Sequence, residues 1–364
     1  MRNMVAKLMV LPVVAAGVLL AGPGVAGACA CGAVVADERL QSVRETALVQ
    51  LTGGTEAVTL NVAAQTTATR AAFLMPVPAR ARFELADADV FTELDDLSRP
   101  RVEYRDVEID GDGSGGAAPG APPVTVTDHI DVGPYEVAQL TGTDSAAVTG
   151  WLGDNDFELP AALADALDPY LAEGWLMVAV RLTPEQTGQT FDGGLPSMRL
   201  TFATDEPVYP MRLSATAEYA QPLRLYVLAD HQVDVSNPAP EGTEPALTFA
   251  GPVGERELRA HPALAEIADG PGFLTRYDAS FEPAQITEDI RLTPAQRDEP
   301  YRAVVVETNY VSGGMGFDDE LTIWLAGSAG VIVFAGAGLL WWRVHRARRA
   351  RTSHFATAEG PGQP

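Results

Sequence analysis

The stretch at residues 45–64, ETALVQLTGGTEAVTLNVAA, indicates the fold class because two alternating apolar runs flank a pair of glycines. The apolar residues at every second position are Ala47, Val49 and Leu51 before the glycines, and Val58, Leu60 and Val62 after them. Side chains at every second position share one face of a β-strand, and Gly53-Gly54 suits a two-residue turn. The stretch therefore predicts an antiparallel hairpin with one buried face.

A third strand and a helix are predicted directly after this hairpin. Residues 71–77 read as a strand, and Pro76 restricts its far end to a sheet edge or a bulge. Val90, Phe91, Leu94 and Leu97 share one helical face, as expected for a helix packed on a sheet. Asp87 or Asp89 can cap the start of that helix.

The rest of the chain alternates strand-like runs with short helical ones. Strands are predicted at 135–140, 176–182, 198–202, 208–213, 223–228 and 303–308. Helices are predicted at 144–152, at 263–268, and from Pro160 until Pro169 ends or kinks it, while 237–254 is predicted to be a linker or long loop. The predicted fold class is α+β: a mixed, mainly antiparallel, β-rich body with short helices.

The N-terminus has the organisation of a secretory signal peptide. A short basic region precedes an apolar core at residues 8–21, and small residues at Ala26 and Ala28 suit a signal peptidase. The apolar core is too short to span a bilayer comfortably, which favours cleavage over an uncleaved anchor. We therefore predict cleavage between Ala28 and Cys29.

The C-terminal part contains 20 residues without charge, Ile323 to Trp342. At about 1.5 Å per residue, a helix of this length covers the hydrocarbon layer of roughly 30 Å. The predicted membrane-interface anchors are Trp324, Trp341, Trp342, Arg343 and Arg346. Arginines after the span predict a cytoplasmic C-terminus, and thus a single-pass cell-membrane protein whose N-terminal body faces outward.

These segments divide the chain into five predicted parts. They are a signal peptide at 1–28, a main extracytoplasmic domain at 29–236, a linker with a second part of the ectodomain at 237–320, a transmembrane helix at 321–342 and a basic cytoplasmic tail at 343–364. The acidic body lies in the second and third parts.

Charge excludes one class of partner. The chain has 49 acidic and 25 basic residues, a net charge of −24, and seven of the basic residues lie in the two terminal segments. The strongly negative body repels nucleic acid, so we predict no nucleic-acid partner. The predicted partners are the lipid bilayer around the C-terminal helix and an envelope component of unknown identity. No motif indicates a cofactor.

Cys29 and Cys31 are the two cysteines of the chain and lie at the predicted mature N-terminus. An oxidising compartment favours a disulfide between them, although such a small ring is strained. A reduced pair could instead bind a soft metal ion such as Cu(I). Lipid attachment at Cys29 is disfavoured because Ala26 stands where a lipobox usually has a branched residue.

Residues 110–116, DGDGSGG, resemble two functional loops without completing either. As a calcium loop, the stretch lacks the closing carboxylate, because position twelve is Ala121. As the nucleophile loop of a trypsin-like protease, it lacks a histidine before Ser114 in the predicted mature chain. We predict a solvated loop instead.

Asp230-His231 is another candidate pair, at the end of the predicted strand 223–228. Adjacent strand residues point to opposite faces, so we do not expect a dyad. An enzyme would need a site assembled from distant residues, such as Asp205, Glu206, Asp230 and His231.

Five stretches carry a family resemblance. They are ACACG at 28–32, FLMPVP at 73–78, GW at 174–175, TDEPVYP at 204–210 and YVLADH at 226–231. These stretches resemble a bacterial family catalogued as domain of unknown function 2330. The resemblance implies a signal peptide, an extracytoplasmic body and often a C-terminal anchor, and it assigns no catalytic residue.

Topology and the missing catalytic motif predict a membrane-anchored extracytoplasmic protein that acts as an envelope binding or structural module. The alternatives are the exported enzyme with a site assembled from distant residues, and a redox or metal role at the Cys-x-Cys N-terminus.

Overall fold

The computed structural model of this protein describes residues 25–29, 31–109, 136–182 and 189–312. The signal-peptide core, the loop at 110–116 and the predicted membrane span at 321–342 with its anchors lie outside these residues. No helix within the described ranges is long and apolar enough to cross a membrane.

Strands, numbered in chain order, form four sheets in the described part of the chain. The five-stranded sheet has the order β1 (Val25–Cys29), β2 (Gly32–Ala36), β5 (Ala71–Val77), β9 (Leu176–Leu182), β8 (Glu136–Leu140). The eight-stranded sheet has the order β17 (Tyr301–Arg302), β14 (Ala246–Val253), β15 (Gly272–Phe281), β12 (Gln221–Ala229), β3 (Leu40–Thr52), β4 (Thr55–Thr66), β10 (Met198–Ala203), β6 (Arg82–Leu85). The smaller sheets are β11 (Val208–Tyr209), β16 (Ile290–Pro294), β13 (Val233–Val235), and the pair β18 (Val304–Ser312) with β7 (Arg101–Ile109).

Helices are short. They are α1 (Asp89–Leu97), α2 (Ala146–Asp154), α3 (Ala161–Ala172), α4 (Glu255–Ala260) and α5 (Pro262–Ile267), with 3₁₀ turns at Arg212–Thr216 and Pro283–Gln285. In the first three sheets, β3 with β12 is the parallel pair and the other described pairings are antiparallel. The predicted β-rich, mainly antiparallel class with short helices is confirmed.

The chain forms two compact units, one from residues 1–102 and 123–305 and the other from 103–122 and 306–364. The first unit contains the three larger sheets and all five helices described above. Of the second unit, the structure describes residues 103–109 of β7 and 306–312 of β18.

The first unit is layered. The main core fills the space between the two large sheets, where Phe73 and Val178 of the five-stranded sheet meet Val49 and Leu60 of the eight-stranded one. The outer face of the five-stranded sheet packs on α2 and α3. The outer face of the eight-stranded sheet packs on α1 and α5. Alternate side chains of each central strand thus enter different cores, as strand geometry requires.

The hairpin predicted from residues 45–64 is confirmed. β3 and β4 pair along their length, and Gly53 and Gly54 form the turn with φ angles of 56° and 79°. β5 also agrees with its prediction: β2 pairs only with Ala71–Leu74, so β9 is the strand partner at Pro76.

Tertiary contacts override local pattern at three places. The strand predicted over 208–213 is wrong beyond Tyr209, because Pro210 has no N–H and the chain turns into the 3₁₀ helix. Within the predicted linker 237–254, residues 246–253 form β14, so strands on both sides of the predicted 236/237 boundary share one sheet. Helix α3 does not end at Pro169 but continues to Ala172, because the residues that follow the proline, Tyr170 and Leu171, are buried; the predicted alternative of a kink stays a prediction.

The predicted cleavage site after Ala28 falls within β1, whose Cys29 is opposite Gly32 of β2. Cleavage there would remove most of β1. The side chain of Cys29 lies outside the described residues, and the disulfide with Cys31 stays a prediction.

Candidate functional site

A cleft of about 730 Å³ opens on the first unit. Four segments line it: the end of β5, the α3–β9 turn, the connection from β10 into the 3₁₀ helix, and the segment leading into β16. The lining residues are Pro78, Glu173, Trp175, Thr204–Val208, Arg212 and Thr287–Asp289 with Arg291–Pro294. Because no two segments are adjacent in sequence, their convergence depends on the tertiary fold.

Asp289 joins two sides of the cleft. Its Oδ1 accepts hydrogen bonds from the Tyr170 hydroxyl at 2.5 Å, the Met211 N–H at 2.6 Å and the Arg212 N–H at 3.1 Å. Its Oδ2 accepts from Nε of Arg212 at 3.0 Å. One carboxylate therefore orients the start of the 3₁₀ helix, a side chain of α3 and the guanidinium.

Arg212 is held on three sides. Its terminal nitrogens donate to both carboxylate oxygens of Glu173, at 2.8 and 3.1 Å, and its guanidinium lies 3.8 Å from the centre of the Tyr170 ring. Burial alone would lower the pKa of Arg212, but the bonds to Glu173 and the charge of Asp289 raise it above its ordinary value. The guanidinium of Arg212 thus stays protonated, and the carboxylates of Glu173 and Asp289 balance its positive charge.

The cleft wall, defined as residues 204–209, is hydrogen-bonded to the hairpin formed by β3 and β4. The Thr204 N–H donates to the Gly54 carbonyl at 3.0 Å, and the Val208 N–H donates to Oε2 of Glu56 at 3.2 Å. The Tyr209 hydroxyl donates to Oε1 of Glu45, which also accepts from the Cys31 N–H at 2.9 Å. Two buried glutamates of one hairpin, Glu56 and Glu45, therefore accept hydrogen bonds from Val208 and Tyr209, the two residues of β11.

The ionisation of these buried groups follows from their surroundings. Burial raises the pKa of Glu56 to about 8, and the hydrogen bond from Val208 offsets part of this rise. Burial, then the neighbouring Cys31 and Glu45, raise the pKa of Tyr209 well above its ordinary value. Tyr209 therefore remains a hydrogen-bond donor, and Glu56 is mostly protonated at neutral pH.

The cleft has a negative balance. Within the described ranges, the carboxylates of Asp205, Glu206 and Glu288 make neither hydrogen bonds nor ion pairs, whereas Glu173 and Asp289 are paired with Arg212. Arg291 is the remaining cation of the lining. The lining therefore disfavours anions, and the Trp175 ring adds an apolar surface.

The structure brings together only half of the residues considered for an enzyme. Asp205 and Glu206 line the cleft, whereas Asp230 and His231 do not. His231 is exposed and its Nδ1 lies 3.0 Å from Oδ2 of Asp298, a partner the sequence did not indicate. The described residues contain no group of three or more His, Cys, Asp or Glu side chains placed to hold a metal ion.

Sequence reasoning missed the residues that build the cleft: Tyr170, Arg212, Asp289, Glu45 and Glu56. A signal was present for the two glutamates. Glu45 and Glu56 occupy the same alternating positions as Ala47 and Val58, which form the buried face of the hairpin. Carboxylates in an inward register require polar partners, so this pattern indicates a buried polar site.

Comparison with known proteins adds a family and no function. Residues 25–293 match the family described as "Uncharacterized protein conserved in bacteria (DUF2330)". No curated protein matches the chain. Among solved structures, the chain is similar to the crystal structure of baculovirus P35, with a TM-score of 0.34 and 10% identity over 71% of this chain and 98% of that chain. A likeness at that level carries no argument about this chain's fold or role.

Proposed function

Since this chain belongs to the uncharacterized bacterial family DUF2330, we propose that it acts as a binding module of the cell envelope and that the cleft is its binding site. In this proposal the body lies outside the cytoplasm and the C-terminal segment anchors it in the membrane. The support for the location is the sequence of the two ends: a signal-peptide pattern and an apolar run followed by arginines.

One observation carries the cleft as the binding site. Three of the five stretches on which the family resemblance rests line it: Pro78 from the second, Trp175 from the third and Thr204–Val208 from the fourth. The first stretch contributes Cys31 behind the wall, where its N–H donates to Glu45, the same carboxylate that accepts the hydrogen bond of Tyr209. The lining residues from the three stretches, which lie up to 130 positions apart in sequence, thus converge on one concave surface, where binding sites usually lie.

The lining favours binding over catalysis. The hydroxyl of Tyr170 and the guanidinium of Arg212 are committed to Asp289 and Glu173, and no described residue pairs a nucleophile with a base in the cleft. Unpaired carboxylates beside an indole ring suit a neutral or cationic ligand.

Site-specific photo-crosslinking in intact cells tests this function. A photoreactive phenylalanine analogue replaces Trp175 in the full-length protein, and the matched control carries it at Tyr219, which is exposed and outside the cleft lining. We expect an adduct with an envelope component from position 175 and none from position 219. Equal adducts from both positions, or none from position 175, would contradict the proposal.

Topology has a separate test. Reporter fusions after Gly32 and after Pro364 should report an extracytoplasmic and a cytoplasmic position, respectively. A cytoplasmic signal at Gly32 would remove the envelope location without affecting the binding cleft.

A further inference from the structure

We propose that Glu56 is a protonation-controlled latch that holds the cleft wall on the hairpin when neutral and loosens it when ionised. This regulation rests on the proposed function only in so far as the cleft binds a ligand; the movement of the wall itself does not require one.

Glu56 points into the main core. Its partners across the ladders are Leu51 of β3 and Phe202 of β10, and opposite residues on paired strands point to the same face. Glu56 is fully buried, and Val58, two residues along the strand, belongs to the core cluster on that face. A carboxylate placed there loses its hydration without gaining a charged partner.

The hydrogen bonding of Glu56 is incomplete for an ionised group. Oε2 accepts one bond, from the Val208 N–H, while Oε1 is buried and has no hydrogen-bond partner in the described structure. Protonation removes the charge and leaves the bond to Val208 in place. The neutral form therefore costs less at this site, because its O–H is a single unpaired polar group, whereas the ionised form leaves a full charge that needs a second donor or water.

Other titratable groups near the contact do not supply that donor. On β3, Glu45 is bonded to Tyr209 of β11 and to the backbone of Cys31. On the wall, Asp205 and Glu206 carry the same charge as an ionised Glu56. On β16, Arg291 is the ladder partner of Val208, and the described structure shows no ion pair between it and Glu56. Burial in this environment raises the pKa of Glu56 to about 8.

Ionisation acts on the wall because Glu56 is attached to it. Water that enters to solvate the carboxylate competes for the Val208 N–H and separates β11 from the hairpin at that point. Thr204–Val208 lines the cleft, so loosening of this segment changes the shape of one side of the site. Alkaline conditions outside the cell would thereby lower the affinity of the cleft for its ligand.

Hydrogen exchange of the full-length protein in detergent tests the latch. Peptides covering residues 204–212 are followed at pH 6.5 and 9, with rates corrected for intrinsic exchange, in the natural protein and in Glu56→Gln. We expect protection to fall about tenfold at pH 9 in the natural protein, because ionised Glu56 then outnumbers the neutral form by about that factor. In Glu56→Gln, which cannot ionise, protection should stay constant.

A second measurement guards against a variant that fails to fold. Infrared spectra of the natural protein should show a protonated-carboxyl band at pH 7 that disappears by pH 9. The same loss of protection in both proteins, or no protonated band at pH 7, would overturn the latch. Because both readouts use no ligand, the latch can hold even where photo-crosslinking at position 175 fails, and the reverse also applies.

Discussion

The hairpin β3–β4 and the cleft wall touch each other but are stabilised in different ways. The hairpin has its turn, its alternation and its register within one continuous stretch of chain, Leu40–Thr66. The wall at 204–209 instead depends on acceptors far away in sequence: Glu56 lies 152 positions from Val208, and Glu45 lies 164 positions from Tyr209. Asp289, 78 positions after Met211, orients the residues that follow.

This difference predicts that the two regions respond differently to the loss of a single side chain. Loss of one local feature of the hairpin removes only a share of its stabilisation, because many ladder bonds and apolar contacts remain. Loss of one of these carboxylates leaves donors without an acceptor. One donor is affected for Glu56, two for Glu45 and four for Asp289. The wall should therefore respond to mutation of single charged residues and to pH much more strongly than the hairpin responds to mutation of its turn.

Replacement of Asp289 should have the largest effect. Asp289→Ala removes the acceptor of four hydrogen bonds and leaves Arg212 short of one carboxylate, so we expect the free energy of unfolding to fall by about 3–5 kcal/mol. Urea denaturation of the full-length protein in detergent measures the change. The matched control is Glu288→Ala, whose exposed side chain makes no described bond and which should change stability by less than about 0.5 kcal/mol. Equal effects from the two neighbours would show that Met211 and Arg212, the residues just after the wall, do not depend on Asp289.

Glu56→Gln should have the next largest effect, which is on the pH dependence of the free energy of unfolding. Between the ordinary pKa of 4.5 and the folded value of about 8, the folded protein retains a proton that the unfolded chain has released. The free energy of unfolding therefore falls as pH rises, by about 1.4 kcal/mol for each pH unit well below the folded pKa and by less as the pH approaches it. Urea denaturation at pH 6 and 8 should show a drop of about 2–3 kcal/mol in the natural protein relative to the glutamine variant. Parallel pH profiles would mean that Glu56 is not neutral in the fold.

The sequence predicts the hairpin and its surroundings because the relevant information is local there. Alternation predicts β3 and β4, and four apolar residues predict α1. Asp87 accepts the N–H of Asp89, the first residue of that helix, at 2.9 Å, but the N-cap position itself is Ala88, whose side chain cannot cap. The strand at 176–182 was predicted with the bounds that the structure has. Each of these elements buries a face that its own spacing defines.

The cleft could not be predicted in the same way. Periodicity favours a strand through 208–213, whereas the chain turns at Pro210, and the distant Asp289 accepts the N–H groups of Met211 and Arg212 that follow. Asp205 and Glu206 were considered for a site, and they do line the cleft, but nothing local paired them with Trp175 or Arg212. The family stretches came closest to locating the site, although they gave no reason why they belong together.

Mutation of the hairpin turn should have the smallest effect on the stability of the protein. Gly54 has a φ of 79°, a left-handed conformation that costs a residue with a Cβ about 1–2 kcal/mol, so Gly54→Ala should destabilise the protein by about that amount. Its carbonyl also accepts the Thr204 N–H, but an alanine keeps that backbone group. Gly150→Ala is the control: Gly150 lies inside α2 with open space around its Cα, and alanine there should stabilise by about 0.5–1 kcal/mol. Thermal denaturation of both variants reports the difference, and a Gly54→Ala loss as large as that of Asp289→Ala would show that the hairpin turn, rather than the buried carboxylates, governs the stability of this region.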